Sequence, residues 1–97
     1  MKSTTQSKQS KFKLGEITAT PGAYELFSNT GTSLLYYINM HAEGDWGLMD
    51  EWDKQQNDIA LTNGSRILSC YELEGSKFWI ITEADRSVTT VLLPEEY

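Results

Sequence analysis

The last third of the chain decides the fold class. Arg66–Leu73 (R-I-L-S-C-Y-E-L), Lys77–Glu83 (K-F-W-I-I-T-E) and Val88–Leu93 (V-T-T-V-L-L) are rich in β-branched and aromatic residues, the composition of a pleated, packed surface. Glu74-Gly75-Ser76 and Ala84-Asp85-Arg86-Ser87 between them read as tight turns. Pro94 stops the third run, because proline cannot donate to a ladder. Three strands this close in sequence form an antiparallel meander. The middle one adds a stricter demand. Phe78, Ile80 and Thr82 point to one face, and Trp79, Ile81 and Glu83 to the other. Both faces are apolar, so both need cover. Burying one such side chain is worth about 1.5–3 kcal/mol. Helices on both sides, a curled sheet, the C-terminal tail or a second chain would supply that cover. A homodimer through the second sheet face is therefore one expectation.

Upstream of Gly64 the pattern is helical. Thr20-Pro21 is a helix start, with a capping hydroxyl and a proline whose missing N–H costs nothing at the first position. That helix runs to about Asn29, turns Ala23, Leu26 and Phe27 inward, and stops at Gly31. Ser33 opens a second helix, with Leu34, Tyr37, Ile38 and His41 on one stripe. Glu43-Gly44-Asp45-Trp46-Gly47 interrupts it as a turn. Asp50 caps a third helix that has Glu51 and Asp53 in its first turn, Trp52, Ile59 and Ala60 as its apolar side, and Asn63-Gly64 as its end. Leu14–Thr20 offers a fourth strand. Helices first and strands after define an α+β fold. The expected architecture is two to three N-terminal helices packed on a three- to four-stranded antiparallel meander. Residues 14–97 are its single domain, and residues 1–13 a disordered basic lead-in.

Ninety-seven residues suffice for one small domain. Apolar runs such as Phe78–Ile81 are far short of the roughly 18–20 residues of a membrane span. One cysteine and one histidine exclude a disulfide framework and a zinc site made by one chain. No phosphate-cradling glycine motif is present, so no cofactor and no metal are expected. The net charge is −6, unevenly spread. Residues 1–13 carry four lysines and no acid, which leaves four basic and fourteen acidic groups, a net of −10, on the rest. Such a body repels a phosphate polyanion. The polar N-terminus is no secretory signal, so a cytoplasmic location with Cys70 reduced is expected.

Three constellations are candidates for chemistry. His41 can serve as an acid or base near neutral pH, with Arg66, Arg86 and Thr89 available to a phosphate. The segment Glu43–Asp53 concentrates five acids around Trp46 and Trp52, a surface for a partner or a mimic of phosphate charge. The hairpin Thr82–Thr90 presents Glu83, Asp85, Arg86, Ser87 and two threonines. For each there is a structural alternative: a hydrogen-bonded histidine at the core edge, helix capping, and turn chemistry in which Asp85 folds back on its own backbone. Cys70, in mid-strand, reads as a small buried hydrophobe.

G-D-W-G (44–47), Asp50, Asp53, Asn57, G-S-R-I-L-S-C-Y (64–71) and W-I-I-T-E-A-D-R-S-V-T-T-V-L-L-P-E-E-Y (79–97) resemble a family of small bacterial proteins. These are encoded on plasmids, integrative elements and phage-like islands, and are described as plasmid-related proteins. The resemblance spans roughly residues 14–97 and implies no particular activity. A fainter, architectural likeness is to the RelE and barnase-like ribonucleases. It implies His41 as acid/base, Arg66 and Arg86 on the phosphate, and Ser87, Thr89, Thr90 or Tyr97 as accessories. The leading expectation is a non-enzymatic module that binds a protein partner through Asp45, Trp46, Asp50, Glu51, Asp53, Glu83, Asp85 and Arg86. The alternatives are a metal-independent ribonuclease using His41, Arg66, Arg86 and Thr89, and an acidic nucleic-acid mimic that inhibits a DNA-binding defence protein.

Overall fold

The computed structural model describes residues 10–97; residues 1–9 of the basic lead-in lie outside the described residues. In chain order the elements are β1 (Glu16–Ala19), α1 (Pro21–Thr30), α2 (Leu34–Ala42), α3 (Glu51–Asn63), β2 (Ile67–Leu73), β3 (Ser76–Thr82) and β4 (Val88–Leu92), closed by a 3-10 turn at Pro94–Glu96. This is an α+β fold. The sheet order is β1-β4-β3-β2. β2, β3 and β4 form the expected antiparallel meander. β1 departs from expectation: it lies parallel to β4, so the sheet is mixed. Antiparallel direction is imposed by a short turn, and no turn joins strands whose partners, Thr18 and Thr90, are 72 positions apart.

The helix ends obey their local chemistry. Thr20 caps α1 by accepting from the Ala23 N–H at 3.3 Å, with Pro21 at the first position. Asp50 caps α3 by accepting from the Asp53 N–H at 2.8 Å. Gly31 and Gly64 close these two helices. The α2 stripe faces the sheet as its spacing requires, with Ile38, His41 and Ala42 buried.

One sheet face carries Ile67, Ser69, Tyr71, Phe78, Ile80, Thr82, Thr89 and Val91, all buried. At its centre Phe27 from α1 and Tyr37 from α2 both meet Phe78 edge-on with ring centroids 5.0 Å apart. Such aromatic pairs add roughly 0.5–1.5 kcal/mol beyond their buried area. A second, smaller cluster joins Trp46, Ala60 and Ile67, with Phe12 against it. The packed chain therefore begins earlier than residue 14. The Lys11 N–H donates to the Ala42 carbonyl at 2.8 Å, and Phe12 stands edge-on to His41 with centroids 5.2 Å apart.

The opposite face carries Leu68, Cys70, Trp79, Ile81 and Leu92. The C-terminal tail folds back over part of it. Tyr97 packs on Trp79 with centroids 5.4 Å apart, and Ile81 and Leu92 are buried. The tail is anchored by the Glu96 carboxylate, which accepts from the Thr20 hydroxyl and the Gly22 N–H at the start of α1 and from the Leu93 N–H at the start of its own turn. These bonds hold its carboxyl below the usual range.

Candidate functional site

His41, the candidate acid/base, is completely buried. Its Nδ1 lies 2.6 Å from the Ser69 hydroxyl and its Nε2 2.9 Å from the Thr82 hydroxyl. Thr82 is 2.7 Å from Thr89, and Thr89 donates to the Leu14 carbonyl at 2.6 Å. Counting protons fixes the whole chain. Thr89 spends its only proton on Leu14, so Thr82 must donate to Thr89. Nε2–H must then donate to Thr82, and since burial keeps the ring neutral, Nδ1 is bare and accepts from the Ser69 hydroxyl. His41 is therefore a neutral imidazole protonated at Nε2. Burial pushes its pKa down to about 3. The chain joins β2, β3, β4 and the segment leading into β1 through the middle of the core. It brings His41 and Thr89 together, but away from any opening.

The two arginines do not join them. Arg66 bonds the Tyr97 hydroxyl and lies over its ring at 5.5 Å. Arg86 turns inward with φ of 61°. Its guanidinium donates to the carbonyls of Ser65 at 2.7 Å, Glu83 at 3.1 Å, Ala84 at 3.3 Å and Ala60 at 3.0 Å. The last places a cation at the C-terminal end of α3, where the helix dipole favours it. Phe12 separates this guanidinium, 5.7 Å from the ring centre, from His41 on the ring's edge. The candidate ribonuclease set thus shares no open cleft: His41 and Thr89 are in the core, Arg66 stands against Tyr97, and Arg86 is committed to backbone. Asp85 accepts from the Ser87 N–H at 3.0 Å, and the Ser87 hydroxyl and N–H hold its carboxyl low. In the Thr82–Thr90 hairpin the Asp85 carboxylate and the Arg86 guanidinium are thus engaged with backbone groups.

The Gly44–Gly47 turn closes a sheet edge. Gly47 adopts φ of 78°, and a Cβ there would sit 2.0 Å from the Cys70 carbonyl oxygen. That close approach lets the Leu48 N–H donate to Cys70 O at 2.7 Å and the Cys70 N–H donate to Trp46 O at 3.2 Å. Asp45 supports the turn by accepting from the Gly47 N–H at 3.2 Å. Its carbonyl accepts from the Tyr71 hydroxyl. Trp46 is a core anchor rather than a partner-facing residue: it is buried, and its indole N–H donates to Asp58 at 3.0 Å. Asn57 completes the seal. Its amide NH2 donates to Leu68 O at 2.7 Å and its amide oxygen accepts from the Leu68 N–H at 3.2 Å, as a neighbouring strand would.

This seal explains where α3 departs from expectation. Trp52 and Ile59, the expected apolar side, are 66% and 49% exposed, and the residues turned inward are Asn57 and Ala60. Between α3 and the second sheet face lies an open groove of about 660 Å³. Leu68, Cys70 and Trp79 form its floor, Leu48 and Met49 one end, and Asp50, Asp53 and Gln56 its rim. Trp52 and Ile59, which bracket Gln56 at i, i+4 and i+7 on the same side of α3, add exposed apolar surface. Cys70, expected as a buried hydrophobe, is only half-buried in this floor, and its partial burial raises the thiol pKa. Glu51 is exposed beside the rim, 3.9 Å from Lys54.

The groove thus unites two features that the sequence showed separately, the acids after Gly47 and the unfilled face of β3. Leu48, Met49, Gln56 and Leu68 were not legible as site residues; the exposed period-2 side of Lys77–Glu83 was the only pointer to them. Among the described residues no three His, Cys, Asp or Glu side chains are grouped to hold a metal ion, and no helix is long and apolar enough to cross a membrane. No family model, curated protein or solved structure matches the chain.

Proposed function

We propose that this chain is a non-enzymatic protein-interaction module that grips a basic, apolar-anchored segment of a partner in the groove between α3 and the second sheet face. One observation carries the reading: Asp50 and Asp53 rim a cavity floored by Trp79, Leu68 and Cys70, with Leu48 and Trp52 left more than half exposed beside it. Exposed aromatic and aliphatic anchors ringed by charge are the anatomy of a binding hot spot. The acidic body favours a cationic partner and speeds its approach. The resemblance to plasmid-related proteins makes that partner a cytosolic protein met by a mobile element. A DNA-binding protein presenting its basic face is a special case.

Site-specific photo-crosslinking in bacteria expressing the chain tests this. A benzoylphenylalanine at Leu48 should yield a discrete adduct with another protein, and the same group at Glu74 should not. Asp50→Lys with Asp53→Lys should abolish the adduct, and Asp85→Lys should leave it. Adducts indifferent to the groove charges would sink the proposal. An adduct of twice the chain's own mass would replace the foreign partner by a homodimer. Duplex DNA competing for the partner would favour the phosphate-mimic form.

A further inference from the structure

The sheet has a second edge, and it is unsealed. β1 pairs with β4 through the N–H groups of Glu16 and Thr20, which donate to Ser87 O at 3.0 Å and Val91 O at 2.9 Å. Thr18 faces the same way by the register. In a parallel ladder the alternate residues then turn their N–H and C=O outward. Those residues are Ile17 and Ala19, and among the described residues nothing accepts from or donates to them. No proline, bulge or inward charge blunts this edge, although such devices are how exposed edges are made safe. Ile17 and Ala19 also share a sheet face, about 6.7 Å apart along the strand. A cavity opens beside each. The one beside Ile17, about 620 Å³, is bordered by Phe12, Leu14, Lys11 and Lys13. The one beside Ala19, about 250 Å³, is bordered by Tyr24, Phe27 and Leu34.

We propose that β1 accepts an extended segment of a partner protein as a fifth strand. That segment carries apolar side chains at two alternating positions and an acidic residue at the end that reaches Lys11 and Lys13. Main-chain bonds to Ile17 and Ala19 supply the pairing, and the two cavities read side chains i and i+2. The lysines give this cavity a basic border beside a body of net charge −10 from residue 14 onward, and they select the acid. A second copy suits the edge less well. Antiparallel pairing about Thr18 would set an alanine into the larger cavity, and both bodies carry the same net charge.

The test uses the full chain and nine-residue peptides of alternating valine and threonine bearing two glutamates at either end, followed by amide NMR. Shifts should be confined to Gly15–Thr20 and the cavity walls. At saturation the Ile17 and Ala19 amides should exchange at least about tenfold more slowly. N-methylating alternate peptide amides should weaken binding about tenfold or more, because the pairing bonds are lost. Lys11→Glu with Lys13→Glu should weaken it severalfold. Ile17→Pro, which removes an outward N–H and no bond to β4, should abolish it while the melting temperature holds. No shifts at Gly15–Thr20 with millimolar peptide would overturn the proposal, as would equal binding of the methylated peptide. So would Ile17 and Ala19 amides already protected in the free protein, whether by a second copy or by residues 1–9.

Discussion

The two edges of this sheet are finished in opposite ways. At β2 a side-chain amide and a glycine turn take up the outward backbone groups of Leu68 and Cys70, and only Glu72, next to the hairpin, lacks such a partner among the described residues. At β1 the outward groups of Ile17 and Ala19 have no partner among the described residues. Building the seal at β2 has a consequence for the rest of the molecule. To place Asn57 against the strand, α3 turns Trp52 and Ile59 outward, and its capping acids come to rim the groove. One edge is closed at the cost of exposing apolar surface, the surface proposed to hold a partner. The other is left available for pairing.

Substitutions at the two edges should therefore differ sharply. Gly47→Val forces a Cβ into Cys70 O and a β-branched residue into a left-handed conformation. A loss of about 4 kcal/mol or more, or failure to fold, is expected in urea unfolding. His41 ties the sealed edge to the open one, from Ser69 on β2 to Leu14 before β1. The unfolded chain takes up a proton near pH 6.5 that folded His41 refuses until about pH 3. Stability should be complete above that window and fall as pH is lowered through it, by roughly 1.4 kcal/mol per pH unit from this group. His41→Leu should start about 2–4 kcal/mol lower, with Ser69 deprived of its acceptor and Thr82 of its donor, and lose that slope. Asn57→Ala strips the Leu68 bonds and should cost about 2–3 kcal/mol, with a rise in aggregation visible by light scattering. Ile17→Pro at the open edge should cost less than about 1 kcal/mol in the same unfolding assay, since no ladder bond is lost. A larger loss there than at Asn57 would reverse the comparison.

Much of this was legible because it is local. Thr20, Asp50, Gly31 and Gly64 mark helix ends by chemistry that acts within one turn, and the meander follows from its own tight loops. The parallel direction of β1 was not legible, since it depends on partners across nearly the whole chain. Nor was the facing of α3. Hydropathy turns Trp52 and Ile59 inward, whereas an edge strand needs an amide, and no periodicity marks Asn57 for that task. The site residues divide in the same way. His41 sits on the apolar stripe its spacing gave it, so its role is structural. Arg86 looks like a phosphate ligand until its four carbonyl acceptors are known, and two of them, Ser65 and Ala60, lie more than twenty positions away in sequence. Asp50 and Asp53 did find the groove, because the residues that cap α3 also stand at its mouth.

Native-state hydrogen exchange of four amides in the free protein is the most direct measurement of this asymmetry. Leu68 and Cys70 should open only with global or near-global unfolding, and Asn57→Ala should release Leu68 selectively. Ile17 and Ala19 should exchange at least about a hundredfold faster than either, as exposed edge amides do. Equal protection at all four positions would mean that both edges are closed, and an unsealed β1 would then be the wrong description of this fold.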